Sequence, residues 1–146
     1  MKTIVLYCLL AMPAIPLHAQ IRKIPGTATG SFQNKYPSAT EVSWRDNLTS
    51  FRASFRQDGL QGEARFNNHG EWEGTDIHYT MERLPGAVRD GFKKSRYTDW
   101  QVKEITALQQ KDKEDSYRVL VQKSGVQKKY LFFNREGQLQ RESLTL

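Results

Sequence analysis

Apolar and polar residues alternate along much of the chain with a period of two, the mark of strands with one buried and one wet face. Val42 and Trp44 alternate with Glu41, Ser43 and Arg45, and Phe51, Ala53 and Phe55 alternate with Arg52, Ser54 and Arg56. Gly62, Ala64 and Phe66 continue the apolar face, and a further strand runs through Trp72, Gly74 and Asp76. The same pattern predicts strands near 100–109, 115–123, 126–135 and 138–145. Gln57-Asp58-Gly59, Asn67 to Gly70, Ser124-Gly125 and Asn134 to Gly137 supply tight turns, with glycine where a positive φ is needed. Strands joined so closely form an antiparallel meander.

Two segments follow a helical period instead. Gly86 to Arg96 follows Leu84-Pro85 and puts Val88, Phe92 and Ser95 on one side. Thr29 to Lys35 carries Phe32 and stops at Tyr36-Pro37. The expected class is α+β, with helices covering one face of the sheet and water on the other.

The chain also matches itself. Phe32 to Tyr36 resembles Phe92 to Tyr97, Phe51 to Phe55 resembles Tyr117 to Val121, and Phe66-Asn-Asn-His-Gly70 resembles Phe133-Asn-Arg-Glu-Gly137, at offsets of 60, 66 and 67 residues. Offsets of that size suit a duplicated half-domain better than a solenoid unit. The expected halves are 30–82 and 83–146.

The N-terminus reads differently. Lys2 precedes an uncharged apolar run from Ile4 to Leu17, and Leu17-His18-Ala19 ends in a small residue before Gln20. That is the layout of a secretory signal peptide, residues 1–19. The run contains Pro13 and Pro16 and is short for a membrane span, so no membrane insertion is expected once it is cut. A leader of uncertain order, 20–29, would follow. The single cysteine, Cys8, falls in the signal segment, so the remaining chain has neither a disulfide nor a thiolate metal site.

Composition adds little to this. Of 146 residues, 38% are hydrophobic and 26% charged, so the chain can fill a core without staples. The net charge of +6 falls to +5 when Lys2 is lost with the signal segment. Its basic residues are scattered among acidic ones, as on a solvated surface. Export argues against nucleic acid as a ligand.

One constellation is specific enough to suggest a family: Tyr36-Pro37, then Val42-x-Trp44, Phe51 to Phe55, Glu63-Ala64-x-Phe66-Asn67-x-x-Gly70-x-Trp72, and Leu84-Pro85. In these residues the chain resembles the PepSY-like family of bacterial periplasmic proteins over about residues 30–146. The second half departs from the pattern, ending its helix in Tyr97-Thr98 and lacking the first-strand tryptophan. The resemblance implies a periplasmic location. It also implies an architecture like that of the β-lactamase inhibitor protein: two tandem helix-plus-four-strand units in one curved sheet, with helices on one face. It implies a non-enzymatic role without cofactor, and by fold analogy inhibition of another protein.

The residues offer little catalytic chemistry. There is no Gly-x-Ser-x-Gly elbow and no glycine-rich phosphate loop. His69 sits in a turn, and Asp76-x-His78 lacks a third ligand in view, so no metal site is expected. The aromatics are better candidates. Tyr130 and Phe132 have the opposite parity to Leu131 and Phe133, and Leu120 the opposite parity to Val119 and Val121. They should project from the open face, with Trp72 beside them and Arg118 and Arg65 as a polar rim. The expected function is binding of a periplasmic or envelope protein on that face. The alternative, a small-ligand carrier or sensor, would need a closed pocket lined by the same aromatics. The sequence leaves the oligomeric state open.

Overall fold

Short turns join the strands in two runs of four, and the two strands joined through the second helix also pair, so the sheet order is the chain order. The computed structural model describes residues 23–144. The expected signal segment, 1–19, and residues 20–22 of the expected leader lie outside them. In sequence come α1 (Gly26–Lys35), β1 (Thr40–Asp46), β2 (Ser50–Gln57), β3 (Leu60–Asn67) and β4 (Trp72–Tyr79). They are followed by α2 (Gly86–Lys94), β5 (Gln101–Gln110), β6 (Ser116–Gln122), β7 (Lys128–Asn134) and β8 (Leu139–Leu144). The strands form one eight-stranded antiparallel sheet in the order β1 to β8. Among the described residues, no helix is long and apolar enough to cross a membrane.

The turns explain the register. Between β2 and β3, Asp58 and Gly59 both have positive φ (52° and 76°), the conformation that matches strand twist in a two-residue hairpin. The Asn67 side-chain oxygen accepts the backbone N–H groups of His69 and Glu71, and that of Asn134 accepts the N–H of Gln138. In both turns the glycine three residues on (Gly70, Gly137) donates its N–H back to the asparagine carbonyl.

Both helices lie over one face, each above its own part of the sheet. Under α1, Ala28, Phe32 and Tyr36 pack on Phe51, Ala53, Phe55, Ala64 and Phe66. The Phe32 ring meets Phe55 edge-on at 5.2 Å and Trp44 at 5.6 Å. Under α2, Leu84, Val88, Phe92 and Tyr97 cover Ile105, Val119, Val121, Leu131 and Phe133. Ile77 and Tyr79 of β4 pack against this second cluster. Tyr36 ties the two regions together: its hydroxyl shares a 2.5 Å hydrogen bond with Thr75 of β4 and reaches Gln109 of β5 at 3.3 Å. Burial raises the Tyr36 pKa above its ordinary value, so the hydroxyl keeps its proton.

The first helix begins earlier than expected. Residues 26–29, assigned above to a leader, form its first turn, and Ala28 is wholly buried. Gly26, Thr27, Thr29 and Gly30 are weak helix formers, which hid this turn from a sequence reading. Tertiary contact holds it: the Thr27 hydroxyl donates to the His69 carbonyl at 2.9 Å, and Gly70 lies against Thr27 and Ala28.

Candidate functional site

Strand alternation places half of each strand's side chains on the face away from the helices. In β5 these are Glu104, Thr106 and Leu108; in β6, Ser116, Arg118 and Leu120; in β7, Tyr130, Phe132 and Asn134; in β8, Arg141 and Ser143. Leu120 lies directly opposite Tyr130, and Phe132 lies between Arg118 and Arg141. The Arg141 guanidinium stacks 3.9 Å above the Phe132 ring, and that of Arg118 sits 5.2 Å from the Tyr130 centroid. Arg118 also pairs with Glu104 at 3.2 Å and reaches the wholly buried Thr106 hydroxyl at 3.3 Å. Leu120, Tyr130 and Phe132 are half-buried by one another and by these arginines, while Leu131 and Phe133 on the other face are fully buried. Aromatic rings backed by guanidinium groups form the kind of surface that supplies binding energy at protein interfaces.

Five of the six expected residues therefore project from the open face, but they do not form one group. Arg65 is on β3, three strands from Arg118, or about 14 Å at the usual strand spacing. It pairs with Asp76 at 2.8 Å and belongs to a different, charged region. Trp72 is on the other side altogether. Its indole N–H donates to Thr75 at 2.9 Å, its ring packs against the α1 core, and Lys35 of α1 stands 3.8 Å above it. The reason is a register shift: Arg65 pairs with Gly74 and its neighbour Phe66 pairs with Trp72, so the bulge at Glu73 reverses the parity of the strand start.

The sequence reading missed the charged region itself. Arg45, Arg52 and Arg65 are cross-strand partners on β1, β2 and β3, and Gly74 on β4 completes the row. A side chain at Gly74 would crowd the Arg65 guanidinium and the Gln109 carbonyl. The neighbouring row holds Ser43, Ser54, Glu63 and Asp76. Arg52 pairs diagonally with Glu63 at 2.7 Å. Arginines at alternate positions of three successive strands were visible in the sequence, but the turn lengths that align them had to be known. Asp76, one half of the Asp-x-His pair, is thus engaged by Arg65. Among the described residues no group of three or more His, Cys, Asp or Glu side chains could hold a metal ion.

A second polar cluster lies on the helix side, at the β8 edge. Glu142 accepts from the Tyr97 hydroxyl at 2.5 Å and from Arg96 at 2.8 Å, with Lys129 at 3.6 Å. These contacts, the tyrosine first, hold the Glu142 carboxyl below the ordinary carboxylate range. A cavity of about 120 Å³, also on the helix side, is lined by Tyr36, Phe55, Leu60, Gly62, Ile77 and Tyr79. None of the open-face aromatics line it, so it is not the pocket that the carrier alternative required.

A family model described as "Putative beta-lactamase-inhibitor-like, PepSY-like" matches residues 49–141. Among solved structures, the chain is similar to a BLIP-like protein from Bacteroides fragilis (24% identity, TM-score 0.79), covering 86% of this chain and 89% of that one. It is similar to a DUF2874 family protein from Bacteroides ovatus (25% identity, TM-score 0.76), covering 84% and 89%. A protein from Bacteroides eggerthii described as a "putative periplasmic" protein aligns with 22% identity and TM-score 0.73 over 84% and 90%. A comparison with curated proteins gave no match.

Proposed function

The chain belongs to the PepSY-like family, and from that premise we propose that it is an exported, non-enzymatic protein that binds a periplasmic or envelope protein on the open face of its sheet. The observation that carries this reading is the patch of Leu120, Tyr130 and Phe132 braced by Arg118 and Arg141, on a face that neither helix covers. Aromatic rings backed by arginines on an open sheet face suit a protein surface better than a small molecule, which favours an enclosed pocket. The β-lactamase-inhibitor-like family description supports an inhibitor-like mode of action. Export rests on the apolar segment 4–17 and its cleavage site after Ala19. Descent from a tandem duplication, giving one curved sheet, belongs to the same proposal. It is supported by the order helix, four strands, helix, four strands, and by the matching turns Asn67 to Gly70 and Asn134 to Gly137.

The test is capture from a periplasmic extract with the tagged protein beside its Tyr130→Ala/Phe132→Ala variant. A protein retained by the first and lost by the second is the expected result. Loss of a central aromatic pair should weaken binding by about 30-fold or more. Equal capture by both, with both folded, would falsify the open-face reading.

A further inference from the structure

The open face is chemically divided. Over β5 to β8 it carries the aromatic patch; over β1 to β3 it carries the row Arg45, Arg52 and Arg65. Like charges directly opposite one another weaken a sheet, and here three guanidinium groups stand in consecutive register. Two are offset diagonally, Arg52 by Glu63 and Arg65 by Asp76. Arg45 is exposed and makes no ion pair among the described residues. Those two carboxylates are themselves direct cross-strand partners. The arrangement keeps a net positive row where neutral side chains would serve the sheet better, and a complementary anion would relieve it.

The two regions are separated by a definite distance. Arg52 is on β2 and Phe132 on β7, five strand spacings apart, or about 24 Å. Along the strands, the register carries Phe132 through Arg118, Thr106, His78 and Gln61 to Arg56, four residues from Arg52. That adds an offset of about 13 Å, for a diagonal of about 27 Å. An extended chain needs about eight residues to cross it.

Resting on the protein-partner reading above, we propose that the partner presents two separated features: a carboxylate-rich segment laid along Arg45, Arg52 and Arg65, and an apolar or aromatic anchor on Tyr130 and Phe132. The acidic segment confers orientation and salt sensitivity, while the anchor supplies most of the affinity.

The test is selection of 16-residue peptides from a random library on the purified protein, followed by affinity measurement of the selected peptides at 50 and 300 mM NaCl. Selected sequences should combine an Asp/Glu cluster with an aromatic or aliphatic residue about eight positions away. The Arg45→Gln/Arg52→Gln variant, shown folded by its thermal melt, should bind them about tenfold more weakly at low salt and lose most of the salt dependence. Arg45→Lys/Arg52→Lys should restore much of the loss. Peptides without acidic enrichment, an unaffected glutamine variant, or no selected peptide at all overturns the proposal. So does Arg-dependent binding of heparin fragments without acidic peptides, which would assign the row to a sulfated glycan. The two readings fail separately. If Tyr130→Ala/Phe132→Ala leaves peptide affinity unchanged, the open-face reading falls; if only the glutamine variant is silent, the acidic half alone is wrong.

Discussion

Substituting Gly137 by alanine tests how α2 is seated on the sheet. Gly137 has φ of +80°, and its backbone lies directly under the first turn of α2. A Cβ there would press on the carbonyl of Ala87, with Val88 N at 3.2 Å, and Gly91 of the helix meets the Gly137 carbonyl from the other side. Two costs follow. Holding alanine at positive φ costs about 1–2 kcal/mol. Forcing a methyl group into closed packing costs about 1–3 kcal/mol more, because the helix must move off its seat. Gly59→Ala supplies the internal control. Its φ is +76°, nearly the same, but a Cβ there would meet only the end of Arg83, at 4.0 Å. It should therefore show the conformational cost alone. Urea unfolding of the three proteins gives both values; with m near 2 kcal/mol per molar, Gly137→Ala should lower the midpoint by roughly 1–2.5 M and Gly59→Ala by at most about 1 M. Equal midpoints for the two variants would refute the close approach of turn and helix.

Three further outcomes are expected. Phe133→Ala, which empties a buried site beside Phe92, should cost about 3–5 kcal/mol in the same assay, against about 1 kcal/mol for Phe132→Ala on the open face; similar costs would mean that Phe132 is core. Glu142→Gln should flatten the acid limb of stability. The Glu142 carboxyl titrates lower folded than unfolded, so its contribution is present above the ordinary carboxylate range and disappears as pH falls through the folded value. Identical acid limbs in the two proteins would remove Glu142 from that account. Trp72→Ala should destabilise the α1 region and leave affinity for open-face peptides unchanged once folding is restored at low temperature; a loss of affinity there would put Trp72 back on the binding face.

Parity served the sequence reading wherever a strand ran without interruption. Tyr130, Phe132, Leu120 and Arg118 fall where alternation puts them, because β6 and β7 pair without a skipped residue. It failed at Trp72 because a bulge is a property of two strands together, and nothing local to Glu71-Trp72-Glu73 announces it. The start of α1 was illegible for a related reason. Its glycines and threonines give no helical signal, and the turn that holds them, His69-Gly70, is some 40 residues away in the chain. The arginine row escaped notice because each member was read within its own strand. Turn length decides who stands beside whom, and no single strand carries that information.

The β4–β5 ladder joins the sheet under α1 to the sheet under α2 through six residue pairs, with the Tyr36, Thr75 and Gln109 side chains bridging the same place. The strand β4 serves both cores, with Trp72 packed under α1 and Ile77 and Tyr79 packed under α2. A substitution on the helix side of β4 therefore reaches both cores at once, whereas one beneath the middle of either helix reaches a single core.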